Sequence, residues 1–427
     1  MTLKKRTELF RRDWVIPALY AGVAFLAGLT FARIEDRILP GLSAKVSVAA
    51  AMTFYSAVAS GMIALTGIVF SFTFVMVQFS ATAYSPRIVQ WLARDPVISH
   101  ALGIFTATFL YAVAALMEVD RGGSGTVPFV SAWVVAGLLL ASTGMFIALV
   151  RRISLLRVDS LLVFTGDKGR DAIAASCCSL QTLTTAIAPA DAIRDLPRGQ
   201  TLSHHGRPCS VQAVDIPALV SLARSSGAII EVVVAVGDTV VEMTPLLNVL
   251  GAREPIDERK LGNRIKLGSE RTFEQDPKYA IRLLVDIAIK ALSPAINDPT
   301  TAVQTLDQIE DLLLRLGQRH LENGTFHDGD GELRLVVPFP GWDDLLGLAF
   351  DEISFYGATS VQVMRRMNAL VSDLIRFLPE ERRPAVRRWS ARLKTLISRS
   401  FTNIDERTEA LQADRQGLGV PRQEFPV

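Results

Sequence analysis

Cysteine is scarce in this chain. There are three in 427 residues, Cys177, Cys178 and Cys209. That excludes a disulfide framework, and the spacing fits no zinc motif, so a reducing compartment is the simpler setting. "HHGRPC" brings His204, His205 and Cys209 close in sequence, but zinc needs a fourth ligand and better spacing. It reads as a solvated linker. "HDGDGE", His327 to Glu332, alternates carboxylates without the EF-hand positions and reads as a polar turn before the strand "LRLVVP". "GDKGRD" has too few glycines, and no strand-to-helix setting, for a phosphate loop. No nucleophile–base–acid set is present. The expectation is a protein that is not an enzyme, has no cofactor or metal, and binds no nucleic acid. The net charge of +2 identifies no partner.

A second absence is more telling. Between Lys45 and Arg87 lie 41 residues without a charge. Mean hydropathy is +0.30 although 21% of residues are charged. The apolar residues crowd into the first third, as in membrane segments followed by a polar part. Four spans are expected, at about 14–32, 48–82, 97–117 and 127–150. The basic start "MTLKKRTELFRRDW" shows no small-residue cleavage site, so it reads as the flank of a retained first span. No span carries a charge near its middle. That argues against a proton- or ion-coupled transporter, which usually needs a buried carboxylate. His100, near the start of span three, reads as interfacial.

The short loops set the orientation. Lys4, Lys5, Arg6, Arg11 and Arg12 precede span one, Arg87 and Arg94 follow span two, and Arg151, Arg152 and Arg157 follow span four. The other two loops mix signs: Arg33, Glu35, Asp36, Arg37 and Lys45, then Glu118, Asp120 and Arg121. The positive-inside rule puts both termini in the cytoplasm.

Span two is overlong. As one helix, its uncharged stretch would run about 60 Å, twice the hydrocarbon thickness, so it projects, tilts or breaks near Gly61 or Gly67. Thr53, Ser56, Ser60, Gly67, Ser71, Gln78 and Thr82 recur near a 3.6-residue period and share one face. The opposite face is Phe, Val, Met and Ile. Two readings stand: close helix packing, or a water-lined path about a symmetry axis.

The remainder divides into a helical connector and linker (151–200), a small β-rich subdomain (201–255) and a helical part with a basic tail (256–427). "VAVGDTVVEMTPLLNV" resembles a half-repeat of biotinyl and lipoyl domains. It lacks the lysine such carriers modify, so it implies a small β-barrel-like fold and no cofactor. The tail from Glu380 to Arg399 holds Arg382, Arg383, Arg387, Arg388, Arg392, Lys394 and Arg399, either a solvated helix face or a face for anionic lipid.

"ALSPAINDPTTA", residues 291–302, interrupts helical sequence. Asp276-Pro277, Asp298-Pro299 and Asp95-Pro96 each pair an N-cap carboxylate with a proline at the first helical position. The stretch therefore reads as a helix stop at Ser293-Pro294 and a new start at Asp298. Ile281, Val285, Ala288 and Leu292 line one helix, and Val303, Leu306, Ile309 and Leu313 the next. Ser293, Asn297, Asp298 and Thr300 remain a candidate corner site for an ion or another subunit.

Three stretches carry a family likeness: "FSFTFVMVQFSATAYSPR", "RTFEQDPKYAIRLLVDIAIKALSPAINDPTTAVQTLDQIEDLL" and "LRLVVPFPGWDDLLGLAFDEISFYGA". The chain resembles the domain-of-unknown-function 2254 family of predicted bacterial membrane proteins, from about residue 10 to 380. The resemblance implies a multi-pass protein of the bacterial cytoplasmic (inner) membrane and transfers no activity or functional residue. A histidine-rich "FIHHI" segment is expected after span four in that family; here the chain reads "FIALVRRIS".

The expected fold is thus an integral membrane, mainly α protein: four transmembrane helices, then a cytoplasmic α+β domain with a small β-barrel-like element. The expected function is a homo-oligomeric channel-like protein passing ions or small solutes, with span two lining the path. The alternative is a membrane-anchored scaffold or sensor whose cytoplasmic domain binds a partner.

Overall fold

A computed structural model describes residues 4–38, 47–83, 96–119, 127, 129–153, 158–176, 198–252, 254–319, 321 and 324–419. The chain forms two compact units, 1–157 and 158–427.

The first unit is helical: α1 (Lys4–Ile38), α2 (Val48–Ala83), α3 (Pro96–Glu118) and α4 (Phe129–Ile153). Among the described residues, three helices are long and apolar enough to cross a membrane, through Val48–Val75, Pro96–Glu118 and Val130–Arg151. These match the second, third and fourth of the expected spans. The apolar part of α1, Val15–Phe31, is shorter than the others. α1 is nevertheless continuous through Pro17.

α3 is the hub, packing against α1, α2 and α4. Small residues permit this: Ala101, Gly103, Ala107, Ala112, Ala114 and Ala115 are all buried on α3. Gly103 lies under the ring of Tyr20, and Gly28 lies against Ala114 and the Tyr111 backbone. Residues 20 and 28 of α1 thus meet 103 and 114 of α3 in the same order, so the two helices run parallel. The Thr108 hydroxyl meets that of Ser142 at 2.9 Å, a buried link from α3 to α4. Such interhelical hydrogen bonds contribute about 0.6 kcal/mol in a bilayer.

The second unit begins with α5 (Val158–Ser176). β1 (Arg198–Ser203), β2 (Cys209–Val214), α6 (Ile216–Ser225), β3 (Ile229–Val232), β4 (Thr239–Val240), β5 (Pro245–Leu250), α7 (Glu258–Gly262) and β6 (Ile265–Gly268) follow. Then come α8 (Pro277–Ala291), α9 (Pro299–Gly317), the hairpin β7 (Gly324–His327) and β8 (Leu333–Val337), and the helices α10 (Trp342–Tyr356), α11 (Val361–Phe377), α12 (Arg383–Ser400) and α13 (Ile404–Leu411).

The described strands form two open sheets, ordered β1-β5-β3-β8-β7 and β4-β2-β6. This corrects the barrel-like expectation: no closed barrel is present among the described residues. The biotinyl-like stretch is divided, β4 going to one sheet and β5 to the other. The cause is a long-range pairing. β3 takes β8, about a hundred residues later, as a parallel neighbour, with Ile230 opposite Leu335. β8 thus extends the sheet on the side of β3 away from β5.

The helices start where the aspartates stand. Asp276 and Asp298 cap α8 and α9, each with a proline at the start of the helix. Asp215 caps α6 in the same manner. Asp95 lies outside the described residues, although α3 does begin at Pro96. α5 fits onto α8 and α9 at Gly169, which faces Ala280 and Leu312. Arg170 on the same helix reaches Asp311 at 2.7 Å. "GDKGRD" therefore lies within a packed helix.

Candidate functional site

α2 answers whether span two breaks. It is one uninterrupted helix of 36 residues, about 54 Å long. A Cβ placed on Gly61 or Gly67 would meet nothing within 4 Å. Inside a bilayer no water competes for the backbone, so mid-helix glycines are tolerated.

Its burial is one-sided. Ala51, Tyr55, Val58, Met62 and Val69 are buried in the core shared with α3. Thr53, Ser56, Ser60, Gly67, Ser71 and Gln78 are exposed. At 100° per residue the exposed set centres about 165° from the buried set. The side chain of Thr82 lies outside the described residues. The structure thus brings the candidates together on one face, directed away from the chain's own bundle. The Thr53 hydroxyl donates to the Ala49 carbonyl at 2.8 Å, so part of the stripe is satisfied within the helix.

The flanks of the stripe are bulky and apolar. Ile63, Ile68, Phe70, Phe72, Phe74 and Val75 are all exposed. α4 is similarly open, with Trp133, Leu140 and Ile147 outward.

The corner at 291–302 uses much of its polarity internally. Ser293 Oγ donates to the Lys290 carbonyl at 2.7 Å, closing α8. Asp298 Oδ1 accepts from the Thr301 amide at 3.1 Å and Oδ2 from the Thr301 hydroxyl at 2.6 Å. Asn297 sits at φ 50°, a left-handed turn that asparagine tolerates. Asn297 and Thr300 are exposed.

Several charged residues gained significance only in three dimensions. Asp276 is 1% exposed, and its Oδ2 accepts from Arg271 Nε at 2.9 Å and Nη2 at 2.6 Å. Its other oxygen caps Tyr279. Burial pushes this carboxyl above the usual carboxylate range, with Arg271 opposing. Arg366, 2% exposed, donates to Asp307 at 2.8 Å and Glu310 at 2.5 Å, tying α11 to α9. Burial raises Glu310 as well. Arg366 stands among Val363, Met364, Met367 and Leu370 on the apolar face of α11. A lone arginine on an apolar stripe was the available sequence signal.

Of the cysteine and histidine candidates, Cys177 and Cys178 lie outside the described residues. Cys209 Sγ is 3.6 Å from His204 Nε2, which also contacts the Arg207 carbonyl at 2.9 Å. His205 pairs with Glu242 at 2.8 Å. In the turn at 327–332, Asp328 accepts from the amides of Asp330 and Glu332 and from Arg334. The Arg334 hydrogen bond holds this carboxyl below its ordinary range. His100 Nδ1 lies 3.3 Å from the Tyr20 hydroxyl. The loop charges Lys45, Arg87, Arg94, Asp120 and Arg121 lie outside the described residues.

The family described as "Predicted membrane protein (DUF2254)" matches residues 11–373. The chain belongs to this family. Within the DUF2254 family's reach fall the helical unit from residue 11 onward, both sheets and most of α11. Two relatives are an uncharacterized protein of Mycobacterium bovis and one of Mycobacterium tuberculosis strain H37Rv. Each is 26% identical over 429 residues, covering 95% of this chain and 80% of the relative. No solved structure matches the chain. The chain is a predicted membrane protein with several apolar helices.

Proposed function

We propose that the protein is a homo-oligomeric, channel-like protein of the bacterial inner membrane, with no catalytic role. α2 lines a path for ions or small solutes. One observation carries this reading: the polar stripe of α2 is exposed, opposite the face that α2 buries against α3. In hydrocarbon, serine hydroxyls are poor company for lipid tails. A second copy and a water-filled axis would cover them.

Both termini lie in the cytoplasm in this proposal, with α1 as a fourth span. The parallel run of α1 and α3 supports it, since the first and third spans of a serial bundle cross in the same sense. α1 has 35 residues, enough to span even though its apolar run is short. The test is flux across liposomes carrying the purified protein, compared with Ser71→Trp and Gln78→Trp. Normal flux in both variants overturns the reading.

A second reading is an anchored scaffold or sensor. The exposed ring pair Phe355–Tyr356, with centroids 5.2 Å apart on α10, favours it as a contact point for a soluble partner. Unchanged partner binding in Phe355→Glu would count against it.

A further inference from the structure

We propose that α12 is a docking surface for anionic lipid headgroups. α12 carries six arginine or lysine residues and no acidic residue. Val386, Trp389, Leu393 and Ile397 bury one face. At 100° per residue the cations fall into two rows on the other side.

The row of Arg388, Arg392 and Arg399 is answered in part by the protein itself. Arg388 pairs with Asp343 at 2.6 Å. Arg388 and Arg392 line a cleft of about 400 Å³ with Asp343, Asp344 and Asp351 of α10. The other row, Arg387 and Lys394 with Arg383 at its head, is different. Arg387 and Lys394 are exposed and have no ion pair among the described residues. Arg399, beyond the cleft, has none either.

The ridge between the rows is low. Pro384, Ala391 and Ser398 are exposed there. No bulky side chain stands above the cations, so a helix about 27 Å long can lie flush on a flat surface. An aromatic ring accompanies the charges. Phe377 is 50% exposed with Arg376 over its ring, and Arg383 donates to the Leu378 carbonyl in the same turn. Cations beside an exposed aromatic are the composition of interfacial helices. Glu380 and Glu381 are the carboxylates of this stretch, and Glu380 sits 3.9 Å from Arg383.

Lipid fits better than nucleic acid. Trp389, the ring that would stack a base, is buried. The chain belongs to a membrane family, so headgroups are always near, and the cytoplasmic leaflet is anionic. The proposal rests on the cytoplasmic placement of the second unit and not on conduction. Absence of flux would leave it standing.

The test uses the full chain in nanodiscs of phosphatidylcholine, with or without about one-third phosphatidylglycerol. A nitroxide is attached at Ala391→Cys after Cys177, Cys178 and Cys209 are replaced by serine. On anionic discs, collisions with a water-soluble relaxation agent should fall severalfold and recover in high salt. Removing charge by Arg387→Gln, Lys394→Gln and Arg399→Gln should weaken docking about fivefold per cation. Equal accessibility on both discs, or a fall that survives the triple substitution, overturns the proposal. A fall seen only on adding a short RNA assigns the surface to nucleic acid and also overturns it. Hydrogen exchange of α12 in the unlabelled protein gives a second readout, and equal protection on both discs contradicts docking.

Discussion

Ser60 and Met62 stand on nearly opposite sides of α2. Met62 is 3% exposed in the core shared with α3, while Ser60 faces outward. Two helical steps turn a side chain by about 200°, so a two-residue offset separates packing face from free face. The same split recurs along the helix, between Ser56 and Val58 and between Val69 and Ser71. Packing within the chain accounts for the apolar face and leaves the polar one available.

That division predicts where copies meet. With the three native cysteines replaced by serine, Ser60→Cys should cross-link to a second copy in membranes under mild oxidation. Met62→Cys, buried in its own bundle, should not. Equal cross-linking at both positions would show that α2 is not oriented as described.

Gly28 sets the spacing of α1 and α3. A Cβ there would lie 2.6 Å from that of Ala114 and 3.2 Å from the Tyr111 carbonyl oxygen. Gly28→Ala should cost about 1–3 kcal/mol of stability in detergent, as overpacked cores do. Gly22→Ala, with nothing within 4 Å, should be neutral or slightly stabilising through helix propensity. The comparison is made by thermal denaturation, and equal effects would contradict the contact.

Asp276 serves α8 as cap and as the buried partner of Arg271. Asp276→Ala should destabilise the protein by about 2–3 kcal/mol, losing both roles. Asp276→Asn should cost less, because asparagine still caps.

The same carboxyl gives a pH prediction. Its folded-state pKa is raised, chiefly by burial. Its contribution to stability is therefore fully present below the unfolded carboxylate value and is lost as pH rises through the folded value. The stability of the native protein relative to Asp276→Asn should shrink between about pH 4 and pH 7. Denaturation at the two pH values checks this. A gap that widens would mean that Arg271 outweighs burial.

Much of this was legible in local sequence. Asp276-Pro277 and Asp298-Pro299 named their helix starts because capping is a short-range device. Ile281, Val285, Val303 and Leu306 are buried as their periodicity required. The α2 stripe was visible for the same reason, although not the direction it faces. That direction depends on α3, a separate element. The sheets were misread where pairing is long-range: nothing near Ile230 announces Leu335 as its neighbour. Arg366 and Arg271 were passed over because their carboxylates become partners only after folding.

Ion flux across liposomes carrying the purified protein, with Ser71→Trp beside it, separates a conducting α2 face from a packing one. The native protein should conduct, and Ser71→Trp should abolish that flux while the variant still assembles. Flux that Ser71→Trp leaves intact, or none under varied voltage, pH and divalent cation, would contradict a conducting face and make the stripe a surface for packing alone.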